Sequence, residues 1–229
     1  MKAAILENFG SHLSVGALPD PVLGTGEVIV DVVAAGVLPY TAEVVSGKRK
    51  YMLTLPAVPG AGAIGRVRAV GPDATRLVVG DWVTCDPTVR SRDGGLTPDI
   101  TLQGISARGD GGVRLQQYFR HGSFAEQMLV PTENVFPIGA IDRTEAGRWT
   151  VLNVLLVPYG GLLAAHFKAG ETLLLSGATG NFGSAGVAVA LAMGGGLRRG
   201  AGPKRGHVGG TDAPLRLSRA DSKTHRRRK

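Results

Sequence analysis

Apolar and polar positions alternate along the first part of the chain with the period of a half-buried strand. In residues 27–36 (EVIVDVVAAG), Val28, Val30 and Val32 fall on one face. In residues 65–70 (GRVRAV), Val67 and Ala69 alternate with Arg66 and Arg68. Gly80 and Asp81 open a short run at 82–85, and residues 124–130 (FAEQMLV) form another candidate strand. Pro19, Pro21, Gly24, Pro56, Pro59, Gly71, Pro72 and Pro87 punctuate these runs, and short strands so spaced predict a small antiparallel barrel or sandwich. Residues 91–112 (SRDGGLTPDITLQGISARGDGG) break the pattern. Polar and glycine-rich, they read as a long surface loop.

Beyond Pro137 the period changes. Residues 143–153 and 160–168 carry helical signals, the second ending at Gly170. Residues 171–176 (ETLLLS) read as a short buried strand, followed by a glycine turn and a helix over 181–193. Strand, turn and helix in that order mark the start of a parallel α/β unit. Gly177, Gly180 and Gly183 are spaced by three, around Ala178, Thr179, Asn181 and Phe182. A turn of this kind tolerates unusual φ, lets a phosphate approach the backbone and packs its helix close to the strand. The helix N-terminus then offers free N–H groups and a positive dipole end to a pyrophosphate. The competing reading is a tight strand-to-helix connection with no ligand. The Lys-Ser/Thr pair of a P-loop is absent.

Composition narrows the classes. The chain has 229 residues, 43% of them hydrophobic, enough for one large or two ordinary domains. Aromatics make up only 5%, so the core must be built from Val, Leu, Ile and Ala. Cys85 is the single cysteine, which excludes an intramolecular disulfide and a multi-cysteine zinc site and suits a reducing, cytoplasmic setting. In DWVTCD it reads as a small core residue. His12, His121 and His166 each stand alone, with His121 expected at a surface turn and His166 half-exposed on a short helix. No apolar run is long enough for a transmembrane helix, so no membrane partner is expected.

The net charge of +8 is concentrated in a tail. Eleven of the 26 Lys and Arg, but two of the 18 Asp and Glu, lie between Gly196 and Lys229. Residues 1–195 therefore carry 15 basic and 16 acidic side chains. The tail has no Ile, Phe, Tyr, Trp or Met and cannot bury enough surface to offset its ordering entropy. It also lacks aromatic residues for base stacking, so nucleic acid is not the expected partner.

Five pieces lie in an order that resembles the medium-chain dehydrogenase/reductase family, in its zinc-independent, quinone-oxidoreductase-like branch. They are PVLGTGEVIVDVVAAGV, VPGAGAIGRVRAVG, GDWV, GSFAEQMLVP and KAGETLLLSGATGNFGSAGVAVALAMG. The resemblance implies a mixed α/β chain: a GroES-like β-barrel catalytic domain over 1–136 and the first part of a Rossmann NAD(P)-binding domain over 137–195. Residues 196–229 follow as a basic, disordered tail. It implies hydride transfer from NAD(P)H to a quinone, enone or other carbonyl-conjugated small molecule, with NADP(H) favoured over NAD(H). Where zinc-dependent members place Cys and His-Glu, this chain has Leu38 and Ala61-Gly62, so no zinc is expected. Tyr40 lies near the cleft implied by the family and could donate a hydrogen bond to an oxygen gaining charge; the other reading is a half-buried barrel tyrosine. Tyr159 could line the nicotinamide pocket, with packing as its alternative.

A complete family member continues for about another hundred residues. Here the next strand is expected near Leu197, and the group that selects between ribose and 2′-phosphate falls in the tail, where Arg198, Arg199, Lys204 and Arg205 lie. The abrupt change suggests a frameshifted translation of a longer reading frame. If neither other frame of the coding DNA continues as a dehydrogenase, that hypothesis fails. The chain is accordingly expected to be inactive or weakly active, with an open sheet edge that favours a homo-oligomer. The alternative is a non-catalytic binding module whose basic tail engages nucleic acid or an acidic partner through counterion release.

Overall fold

A computed structural model describes residues 1–197. The strands begin with β1 (Lys2–Ile5) and β2 (Ser14–Ala17), an antiparallel pair. Then come β3 (Glu27–Ala34), the short helix α1 (Thr41–Val45), β4 (Ala63–Val70) and β5 (Trp82–Cys85). Three-residue strands β6 (Thr88–Arg90), β7 (Ile100–Leu102) and β8 (Ser106–Arg108) precede helix α2 (Gly109–Tyr118), and β9 (Gln127–Pro131) and β10 (Val135–Pro137) close the first unit. The main sheet runs β10-β5-β4-β3-β9, antiparallel throughout. β6-β7-β8 form a second antiparallel sheet. Single bridges at Ala3–Ala125, Leu6–Ala57 and Met52–Ala107 tie the pieces together.

The alternation holds around Val67 of β4, whereas β3 is buried on both faces from Glu27 to Val30 and half-buried beyond. Val28, Val30 and Val67 are fully or almost fully buried, while Arg66 and Arg68 between them are exposed. Val28 and Val30 pair with Val130 and Met128 of β9 and pack with Ala63, Val83 and Cys85. Burial of each such aliphatic side chain contributes roughly 1.5–3 kcal/mol. A second core, around Leu6, Val44, Ala57 and Ile105, fills the space beneath α1.

The stretch 91–112 is a correction. It holds β7, β8 and the start of α2, and Thr101, Gln103 and Ile105 are buried. Gln103 Nε2 donates to the carbonyls of His121 (2.9 Å) and Leu129 (2.8 Å). A Cβ on Gly112 would run into the Ile100 carbonyl, so the glycine run marks the close approach of α2 to β7. His121 is corrected too. It is half-buried, and its Nδ1 is buried without a partner.

The second unit begins with a 3₁₀ turn at Arg143–Glu145, where Asp142 accepts from the Thr144 N–H at 2.8 Å. α3 (Ala146–Trp149) and α4 (Leu152–Ala164) follow. α4 runs straight through Pro158, Gly160 and Gly161, where two separate helical segments are expected from the sequence. Pro158 removes one helical hydrogen bond but packs toward α5 (Asn181–Ala192), its Cβ lying 3.5 Å from where a side chain on Gly186 would begin. Leu155 and Leu162 of α4 meet Val189 and Ala190 of α5. His166 follows α4 in a left-handed conformation and is exposed.

The expected buried strand over 171–176 shrinks to β11 (Thr172–Leu173), and Leu174 is 83% exposed. β11 pairs in parallel with β12 (Gly196–Leu197), which begins where the next strand is expected. A parallel pair joined through a helix is the first βαβ step of a doubly wound sheet. The readings placed on 198–229 lie outside the described residues.

Candidate functional site

α4 and α5 face the barrel across a cleft. Two cavities of 240 and 290 Å³ share Leu38, Ala61 and Asn153. The first is also lined by Tyr40, Asp86, Thr88, Arg90, Leu156, Val157 and Phe182; the second by Arg148, Thr150, Val154 and Asn181. The glycine turn therefore delivers Asn181 to one cavity and Phe182 to the other.

The turn has the geometry a pyrophosphate needs. Gly177 adopts a left-handed φ of +71°, and the Gly180 N–H closes on the Gly177 carbonyl at 3.0 Å. A Cβ on Gly183 would collide with that same carbonyl. Gly180 caps α5 with extended backbone and no side-chain cap, leaving the N–H groups of Asn181, Phe182 and Gly183 without helical partners. Ala178 and Thr179 complete an exposed loop above this helix end. These residues fit a dinucleotide's pyrophosphate, which the backbone N–H groups and the helix dipole would hold.

Tyr40 stands just before α1, half-buried on the wall of the first cavity. The Arg49 guanidinium lies 4.4 Å from its ring centre, itself held by Glu43 and the Tyr51 hydroxyl, each at 2.8 Å. Burial pushes the Tyr40 phenol above its ordinary value, and the facing Tyr51 adds to this against the pull of Arg49. The phenol is therefore protonated at neutral pH and can donate. It is both a packed barrel tyrosine and a cavity residue.

Tyr159 lies apart from both cavities, 42% exposed on α4. Helical phase explains it: Asn153, Leu156 and Val157 share one face at i, i+3 and i+4, and Tyr159 points elsewhere. Asn153 is the residue that sequence reasoning missed. Its signal was a lone amide in the apolar run VLNVLLV. Thr88 and Arg90 lay too close to an apparent loop to stand out.

Among the described residues, no three His, Cys, Asp or Glu side chains lie where they could hold a metal ion together. Leu38, Ala61 and Gly62 offer zinc no side-chain donor. Cys85 is fully buried in the core of the main sheet, and burial together with neighbouring Asp86 pushes its thiol up to about 12, which suits a packed core residue.

The Alcohol dehydrogenase GroES-like domain family matches residues 24–140, just over half of the chain. The chain belongs to the medium-chain dehydrogenase/reductase family. It is 30% identical over 202 residues to an alcohol dehydrogenase of Moraxella sp. (strain TAE123), covering 85% of this chain and 56% of that one. A solved alcohol dehydrogenase superfamily protein from Novosphingobium aromaticivorans superposes with a TM-score of 0.65 at 27% identity, over 85% of this chain and 51% of that chain. A cobalt- and zinc-bound thermostable alcohol dehydrogenase from Pyrobaculum aerophilum gives 0.63 at 25% identity, over 85% and 57%. The chain thus spans about half the length of the family members it matches. The family pairs the GroES-like domain with a Rossmann domain, and the structure is mixed α/β accordingly. No helix among the described residues is long and apolar enough to cross a membrane.

Proposed function

We propose that this chain carries the acceptor-binding barrel and the pyrophosphate-binding turn of a zinc-independent, NAD(P)H-dependent oxidoreductase. The family supports NAD(P)-dependent oxidoreduction. The observation that carries the finer reading is the junction of turn and cavity, where Phe182 follows the Gly180 cap and lines the cavity that holds Tyr40. The dinucleotide, when bound, supplies the hydride. The chain's own residues position and polarise the acceptor. Leu38, Leu102, Leu156, Val157 and Phe182 give the cavity an apolar lining against which a planar conjugated acceptor, a quinone or an enone, would pack. Tyr40 donates to the acceptor oxygen as negative charge develops there, the role of a single oxyanion donor. The absence of metal-ligating side chains at Leu38, Ala61 and Gly62 supports zinc independence. NADP(H) is preferred over NAD(H) by family likeness alone. Among the described residues, β11 and α5 contribute one side of a dinucleotide site.

The test is NADPH oxidation by the purified chain with a quinone acceptor, with and without added zinc or EDTA. Tyr40→Phe is expected to lower kcat/KM by about a hundred- to a thousandfold, as for removal of one donor to a developing oxyanion, with the melting temperature unchanged. Activity that needs zinc, or that is indifferent to Tyr40→Phe, contradicts the reading.

A further inference from the structure

Strand alternation brings a cation into the cleft. In β6 the middle residue, Val89, is buried, so Thr88 and Arg90 point together to the opposite face, and both line the first cavity. The strand that presents them is anchored. Buried Asn134 donates from Nδ2 to the carbonyls of Asp86 and Thr88, each at 2.9 Å, and the Pro87 carbonyl accepts from the Gln103 N–H at 2.8 Å. Arg90 itself is exposed, and Nη1 donates to the Thr88 carbonyl at 3.4 Å. Arg49, Arg68, Arg92 and Arg148 each pair with a carboxylate, whereas among the described residues Arg90 pairs with none. Asp86 shares the lining, but its Oδ1 accepts from the Thr88 N–H at 2.9 Å and not from the guanidinium. A guanidinium carries five N–H donors in a planar fork that matches a carboxylate. Most of that fork is unengaged, on the wall of a cavity whose other donor, the Tyr40 phenol, stands on a separate element.

We propose that the acceptor of this site is a planar enone or quinone that carries a carboxylate, and that Arg90 is the specificity-determining residue that binds the carboxylate. This rests on the cleft being the acceptor site, and it adds the class of acceptor. Tyr40 donates to the carbonyl oxygen that gains charge. Arg90 holds the carboxylate, which takes no part in the hydride transfer and fixes the orientation of the ring. Charge-assisted pairing of this kind is stronger than a neutral hydrogen bond, and an apolar lining screens it less than open water does. With a volume of 240 Å³ the cavity is at the small end for ligand sites, which suits a compact acceptor.

The experiment compares para-carboxybenzylideneacetone with para-nitrobenzylideneacetone. Both carry the same enone and have nearly equal shape; one ends in a carboxylate and the other in a neutral nitro group. Their dissociation constants for the full chain are measured by ligand-detected NMR without cofactor, at constant ionic strength. Wild type is expected to hold the carboxylate about tenfold more tightly, the effect of one hydrogen-bonded charge pair. In Arg90→Gln the ratio should fall to about one, and Arg90→Lys, which keeps the charge but not the fork, should retain part of it. Arg90 is exposed, so both variants keep the fold. Arg108→Gln removes an equal charge outside both cavities and should leave the ratio unchanged. NADPH affinity should be the same in wild type and Arg90→Gln. A ratio near one in wild type, one unchanged in Arg90→Gln, or one lowered equally by Arg108→Gln overturns the role of Arg90. A loss of NADPH affinity in Arg90→Gln assigns the guanidinium to a dinucleotide phosphate and overturns it as well. If the ratio is near one but both ligands weaken in Leu156→Trp, which fills the cavity, the cleft remains the acceptor site. No binding of either ligand to wild type overturns the cleft as acceptor site along with the role of Arg90.

Discussion

His121 shows what a single buried atom does to the pH response of the molecule. Burial, with some help from neighbouring Arg120, holds its imidazole below the usual 6.5. The folded protein therefore refuses a proton that the unfolded chain accepts. Stability is full above pH 6.5 and is lost as pH falls below it, until the folded value is reached. Urea unfolding of wild type and His121→Gln between about pH 5 and 7 isolates this contribution, because carboxylate titration is common to both. The wild-type free energy should fall more steeply with acidification than that of the variant; parallel curves would contradict it. Residue-scale reading from sequence has a limit here. His121 stands beside Gly122 and Ser123, a turn-like context, and nothing in it shows that the Gln103 side chain caps its carbonyl from beneath.

Elements were legible where one face is buried over several residues. β3 and β4 declare themselves by Val28, Val30 and Val67 against Arg66 and Arg68. β7 and β8 are three residues each, too short for alternation to register, and a run of glycines hides the start of α2. Pro158-Tyr159-Gly160-Gly161 reads as a break, yet packing of Pro158 and Leu162 against α5 carries the helix through it. The glycine turn was legible because strand, turn and helix agree, whereas the burial of its strand was not. The α2 start offers a test against propensity. Alanine in a helix is favoured over glycine by about 1 kcal/mol. Gly112→Ala should nevertheless destabilise by about 1–3 kcal/mol, because its Cβ meets the Ile100 carbonyl. Chemical denaturation checks the sign, and a stabilised variant would refute the close approach of α2 to β7.

At the scale of the whole molecule, two units meet along one cleft. The barrel contributes Leu38, Tyr40 and Ala61, α4 contributes Asn153, and the glycine turn contributes Asn181 and Phe182. The family order of the sequence pieces made this arrangement readable. The side chains that line the cleft depend on helical phase, which the sequence pieces do not show: Tyr40 and Phe182 line the first cavity, and Tyr159 lines neither. Away from the cleft, the apolar side chains of Leu163 and Leu174 are exposed on the second unit. The central claim is that the turn at 177–183 receives a dinucleotide. The most direct measurement is a fluorescence titration of the full chain with NADPH, beside Gly183→Val, whose Cβ would be driven into the Gly177 carbonyl. The account predicts saturable NADPH binding by wild type and at least about a tenfold loss in a folded Gly183→Val, since the N–H groups of the α5 terminus can no longer close on the pyrophosphate. Equal affinity in the two proteins, or no saturable binding by wild type, would contradict it.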